Sequence, residues 1–336
     1  MRLVEYIIRR LLLLIPTVFG LIFITFFISH MIPATPAFLY LGEHATPEMV
    51  AQFDHRWGFD QPVYIQFLRY IADFFRGNLG ISTYTGHQVI ADLILYFPAT
   101  LELTAGAMVL SMVLGVLFGV LSAVKRNSLI DYFVRTISLI GTSMPVYWIA
   151  LVAMAVIYLR MGIISPGRLS MNLQPPTHIT GLYTIDSLLT GNFVVFEDAL
   201  AHLIMPSFVL CSWIIAPIVR QTRSDMLDSL GQEYTLAAKA KGLPQRTVVW
   251  KHALRNALIP SVTIIGISFG NLLAGAVVTE TIFFWPGIGM YMLSSTLSID
   301  FGAIVGGTAV IGIVYTLINL MVDVLYGIID PRIRVG

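Results

Sequence analysis

A single cysteine, Cys211, stands among 336 residues. No intrachain disulfide can form, and no cysteine-rich zinc or iron–sulfur site can be built. Charge is scarce too: Asp, Glu, Lys and Arg make up 12% of the chain, against about 25% in a soluble domain. The seven histidines are scattered, with no His-x3-His or His-Glu-x2-His pair, which argues against a catalytic or structural metal. No Gly-x4-Gly-Lys-Ser/Thr loop is present, so a nucleotide's phosphates find no P-loop here. No paired acid, His or Ser groups form an enzyme-like constellation.

What the chain has instead is apolar length. Hydrophobic residues make up 57% and the mean hydropathy is +0.81. They gather into runs longer than the roughly 18 residues that mark a membrane span. Runs bounded by charge, Pro or Gly place six helical spans near Leu11–Ile32, Ala99–Val124, Val134–Leu159, Ala201–Val219, Leu258–Phe283 and Ala303–Ile328. Helices are required because backbone in lipid must satisfy its own hydrogen bonds, and the two-residue alternation of a barrel is missing. The expected fold is therefore all-α and polytopic, one transmembrane domain over 1–336. The first run follows basic residues as a signal peptide would, but exceeds 20 residues without a clean cleavage pattern and reads as a retained span.

Six spans put both termini on one side. That side then carries 15 of the 20 Lys and Arg residues, leaving Arg56, Arg69, Arg76, Arg160 and Arg168 on the other. The positive-inside rule makes the termini cytoplasmic.

Segment 33–98 is then external. Thr46-Pro-Glu-Met reads as a capped helix start, and Gln61-Pro introduces an amphipathic run from Tyr64 to Phe75. A second external segment, about 160–200, is rich in Pro and Gly and reads as irregular. Ser143-Met-Pro145 should kink the third span, and Gly106, Gly115 and Gly119 give the second span small faces for packing.

The most informative stretch is cytoplasmic, 220–260. It reads Glu233-Tyr-Thr-Leu-Ala-Ala-Lys-Ala-Lys-Gly242, then Leu243-Pro-Gln-Arg-Thr-Val-Val-Trp-Lys-His-Ala-Leu-Arg-Asn-Ala-Leu-Ile-Pro260. Gly242 suits a left-handed helix stop and Pro244 a new first turn, so the pattern predicts helix, sharp turn, helix. Composition alone fits two roles, a protruding knob that docks on another protein or a basic helix lying on lipid headgroups.

This segment resembles the EAA loop of ABC-importer permeases, with Leu236-Ala237-Ala238 and Gly242 at its spacing. Leu236 replaces the eponymous Glu, and His252-Ala-Leu-Arg255 stands where Ile-x-Leu-Pro is common. Both departures are characteristic of the dipeptide, oligopeptide and nickel permeases, and the B-type subunits of dipeptide systems match closely. Gly77-Asn-Leu-Gly-Ile-Ser82, Phe97-Pro-Ala-Thr-Leu-Glu-Leu103, Ser143-Met-Pro-Val-Tyr-Trp148, Glu280-Thr-Ile-Phe-Phe-Trp-Pro-Gly-Ile-Gly289 and Asp330-Pro-Arg332 extend the resemblance over nearly the whole chain.

The resemblance implies a type I importer permease fold in the inner membrane. Its partners would be a second related permease, two P-loop ATPase subunits that bind ATP and Mg, and an extracytoplasmic binding protein, with no cofactor in this chain and no nucleic acid. Glu233, Tyr234, Ala237, Ala238, Lys241, Gly242 and Leu243 would couple to the ATPases. Glu102, Glu280, Trp285, Pro286 and Gly287 are gating or pathway candidates, weighed against structural pairing for the acids and a headgroup anchor for Trp285. Peptide is the implied cargo; nickel, haem, glutathione or oligosaccharide would use the same scaffold. An ion-coupled carrier or channel is the rival, disfavoured because Glu102, Glu280 and Asp323 lie near span ends and none at mid-depth.

Overall fold

The computed structural model describes residues 3–31, 41–42 and 45–329. Its described residues are mostly helical, and the only sheet-like pairing is an isolated antiparallel bridge between Ile81 and Gln88. In chain order the helices are α1 (Leu3–Met31), α2 (Pro47–Trp57), α3 (Val63–Phe75), α4 (Val89–Val124), α5 (Leu129–Ser143), α6 (Val146–Ala153), α7 (Tyr183–Leu189), α8 (Phe193–Leu230), α9 (Glu233–Ala240), α10 (Gln245–Thr247), α11 (Leu254–Ile282), α12 (Ile288–Leu297) and α13 (Phe301–Ile329).

By length and composition, four of these can cross a membrane: α1, α4, α8 and α13, or five spans if the bent pair around α5 and α6 counts as one. The third apolar run is therefore not one kinked rod. Pro145 lacks the N–H that would continue the helix and pushes Met144 into extended backbone (φ −85°, ψ 136°). The two halves meet at 99°, a break rather than a kink. Beyond α6 the chain continues as a π-helical stretch, Met154–Arg160.

The chain divides into two compact units. Unit 1 comprises Met1–Leu3, Ala99–Pro286 and Ile318–Gly336, and unit 2 comprises Val4–Pro98 and Gly287–Leu317. In unit 1 the backbones of α4 and α8 approach closely at glycine. A Cβ on Gly106, Gly115 or Gly119 would come within 2.7 Å of Ser207, Ile218 or Thr222, so these glycines serve packing as read. Around them lies a core of Ala99, Leu103, Ala107, Leu203, Leu210, Ile214, Leu272 and Trp285.

Unit 2 has its own core, in which Val18, Ile22 and Phe26 of α1 meet Phe67 of α3 and Val305 and Ala309 of α13. The Thr46 hydroxyl accepts the Met49 N–H with Pro47 in the first turn, and Gly58 closes α2 at φ +76°. Asp300 opens α13. Its carboxylate accepts the Ala303 N–H, the Ser82 hydroxyl and the Tyr84 N–H, and it is completely buried.

Candidate functional site

Three polar constructions interrupt the apolar body of unit 1. The first is the hairpin after α8. Helix α9 ends where Gly242 adopts φ +74°. The Gly242 N–H donates to Lys239 O at 2.9 Å and the Leu243 N–H to Ala238 O at 3.3 Å, which together form a Schellman stop. Pro244 then takes φ −61° and ψ 142° as the residue before α10, one position earlier than a first-turn proline. The chain continues through a π-helical turn, Val248–Ala253, into α11.

The hairpin has a fastened face and an open face. On the fastened face Thr235 and Ala238 are buried. The Thr235 hydroxyl lies 2.7–3.1 Å from the carbonyls of Ser229, Leu230 and Gln232. Ser229 donates to Ala253 O at 2.9 Å and meets the Tyr234 hydroxyl at 2.6 Å, tying the end of α8, α9 and the π-helical turn together. On the open face Glu233, Leu236, Ala237, Lys239, Lys241, Gly242 and Leu243 are exposed, and Tyr234 shows its ring. Of the coupling residues expected from sequence, only Ala238 is turned inward.

The second construction lies beneath the hairpin and escaped the sequence reading. Asp131, wholly buried on α5, receives a bidentate grip from Arg223 of α8, Nε at 2.9 Å and Nη2 at 2.8 Å. It also accepts the Ser122 hydroxyl and the Asn127 N–H. Asn127 is held at φ +60°, a conformation few residues other than Gly, Asn and Asp tolerate. On α8 and α11, Asp225 accepts from Ser261 at 3.0 Å and from Gln221 at 2.9 Å.

The third gathers the gating candidates. Glu102 on α4 is salt-bridged to Arg168. Its other oxygen accepts the N–H and hydroxyl of Thr184, both at 2.7 Å. Arg168 also donates to Gly181 O at 2.9 Å and stacks 3.5 Å over the Tyr183 ring. Glu280, fully buried, accepts the Thr100 hydroxyl at 2.6 Å. Trp285 is 1% exposed and its indole N–H donates to Ala99 O at 2.8 Å. Its ring lies in the protein interior, so the headgroup-anchor reading fails.

Phe284 before it takes φ +52°, a costly geometry for a bulky residue, and burial of the neighbouring indole offsets it. Pro286 and Gly287 follow, with Gly287 leading directly into α12. Both acids are thus held in pairings in this conformation. The side chain of Asp323 lies outside the described residues.

Segment 160–200, read as irregular, contains α7 and the start of α8. Asp186 organises the rest: its carboxylate accepts the N–H groups of Ile179, Thr180 and Gly181 and the Thr180 hydroxyl. Burial alone would raise its pKa. The four donors outweigh burial and hold the carboxyl below its ordinary value. A depressed folded pKa stabilises the ionised native state at neutral pH, and that contribution disappears as pH falls through the folded value. The thermal midpoint of Asp186→Asn should fall well below wild type at pH 7, and the gap should close on acidification below about pH 3.9, the free carboxyl value.

Glu102 and Ser122 belong to one continuous helix, α4, and lie about 30 Å apart along it at about 1.5 Å per residue. That matches the roughly 30 Å of a bilayer's hydrocarbon core. The polar constructions thus bracket an apolar slab of membrane thickness, with a rigid hairpin at one end.

Residues 115–335 match the family model described as binding-protein-dependent transport system inner membrane component, and residues 3–104 match the N-terminal model of the same systems. The chain belongs to this family. It is similar to the probable D,D-dipeptide transport system permease protein DdpB of Escherichia coli K12, at 45% identity over 96% of this chain and 95% of the relative. The di/tripeptide transport system permease protein DppB of Pseudomonas aeruginosa is 43% identical, over 98% of each. The dipeptide transport system permease protein DppB of Alkalihalophilus pseudofirmus is 41% identical, over 98% of this chain and 99% of the relative. As a family member the chain is a multi-pass permease subunit of an ABC transporter and not an enzyme. Family membership implies an ATPase and a substrate-binding protein as partners.

Proposed function

We propose that this chain forms half of the pore of an importer of short peptides, paired with a second related permease and driven by two P-loop ATPase subunits docked on the hairpin Glu233–Leu243. The observation that carries this reading is the hairpin's two-faced construction. Its back is bolted by Thr235 and Ser229 and its turn locked by Gly242. Its front presents Leu236, Ala237 and Leu243 ringed by Lys239 and Lys241. A lever must be stiff behind and complementary in front, because ATP can shift the pore only through contacts that differ between its states.

Six crossings with cytoplasmic termini fit this arrangement. They add the 29-residue α11 to α1, α4, the bent pair α5 and α6, α8 and α13, the five spans that length and composition allow among the described residues. ATP and Mg would sit on the partner subunits. Peptide is favoured as cargo because the relatives carry dipeptide and di/tripeptide names.

Reconstitution tests the reading: proteoliposomes with both permeases, the ATPases and the binding protein should take up a labelled dipeptide only when ATP is supplied. Uptake by this chain alone without ATP would establish the channel or carrier instead.

A further inference from the structure

The cavity within unit 2 has no part in the hairpin mechanism. It holds about 250 Å³, just under the roughly 300–1,000 Å³ of pockets for drug-sized ligands. That admits a molecule of dipeptide size and excludes the two chains of a phospholipid. Phe26, Phe53, Phe59 and Tyr70 supply apolar wall, and three charged residues, Arg69, Asp73 and Asp300, line it as well.

The first two have capacity to spare. Arg69 has no hydrogen-bond or ion-pair partner among the described residues. Its guanidinium rests against Gly58, where any side chain would collide with it. Among the described residues the Asp73 carboxylate meets only Arg76, at a loose 3.8 Å, and its side chain is 38% exposed. Asp300, by contrast, also lines the cavity but is consumed by three hydrogen bonds.

Arg69 and Asp73 stand one turn apart on α3, a spacing that sets Cβ atoms about 5–6 Å apart. A two-residue peptide spans about 7 Å, so one dipeptide can reach both, and a single amino acid has one residue less to span them. Arg is the side chain best shaped to grip a carboxylate through two parallel hydrogen bonds.

We propose that this cavity binds a free dipeptide as a zwitterion, its carboxylate on Arg69, its ammonium on Asp73 and an apolar side chain among the phenylalanine rings. The proposal rests on the peptide-cargo reading for its ligand class and adds a second contact point for the same cargo.

The test titrates Ala-Phe into the intact importer in lipid nanodiscs without the binding protein, read by saturation-transfer NMR. Saturable binding is expected, with N-acetyl-Ala-Phe, Ala-Phe amide and phenylalanine each at least about tenfold weaker, the loss of one charge-assisted contact. Arg69→Gln should erase discrimination against the amide alone, and Asp73→Asn discrimination against the acetyl form alone. Misfolding cannot produce that crossed pattern. Absence of saturable binding, equal binding of the blocked peptides, or phospholipid found in the cavity in place of peptide overturns the proposal. ATP-driven uptake measured with the binding protein restored separates the two readings: uptake without cavity binding sinks this site and leaves the cargo assignment standing.

Discussion

Replacing Gly242 with valine is expected to abolish ATP-driven uptake while ATP hydrolysis by the assembly continues. Gly242 sits at φ +74° with open space around it, so the obstacle is backbone conformation and not crowding. A left-handed residue with a Cβ costs about 1–2 kcal/mol, and a β-branched one more. The turn would be lost in a large fraction of molecules, since 1.4 kcal/mol is about tenfold in an equilibrium. With it go the two bonds that fix the end of α9, and the lever becomes a hinge. Asparagine tolerates this region, so Gly242→Asn should retain much of the transport. Parallel uptake and hydrolysis assays in proteoliposomes read the difference directly.

The second large effect is expected at Asp131. Asp131→Ala removes the bidentate partner of Arg223, the acceptor for Ser122 and the cap on the Asn127 N–H. Breaking a buried pair by deleting one member costs about 3–5 kcal/mol. The thermal midpoint in detergent should drop by many degrees, or the chain should fail to accumulate. Replacing both members of a pair with apolar residues of similar size is often near neutral, so Asp131→Leu combined with Arg223→Met should recover the part of the loss that comes from an unpaired Arg223, but not the part from Ser122 and Asn127. If the double variant is as unstable as the single one, the pair is not the source of the effect.

Sequence patterns exposed what is local. Thr46 before Pro47, Gly242 after an Ala- and Lys-rich run, and the apolar stretches each declare themselves within a few residues, because capping, left-handed turns and membrane insertion are decided at that range. The pairings were hidden for the opposite reason. Glu102 on α4 finds Arg168 in the loop before α7, and Asp131 on α5 finds Arg223 on α8, only through tertiary packing, and a hydropathy window averages over a buried charge without revealing its partner.

Pro145 was visible, but a kink and a 99° break share the same sequence signal; which one forms depends on what the following helix packs against, here Met205 and Val209 of α8 against Ala150. Segment 160–200 looked irregular because Pro and Gly dominate it, while its order comes from one carboxylate, Asp186, gathering three backbone N–H groups. Trp285 could be read as an interfacial ring until its indole N–H was seen to have a buried carbonyl partner at Ala99.

In the proposed mechanism the ATPase subunit sits on the open face of the Glu233–Leu243 hairpin. Cys211 is buried, so a cysteine introduced by Ala237→Cys is the accessible thiol on this chain. In the assembled importer it should form a cross-link to an ATPase subunit, and the yield should change when ATP binds. A transporting assembly in which this thiol never reaches the ATPase, or reacts in intact cells with a reagent that cannot pass the membrane, would mean that the hairpin is not the ATPase's seat.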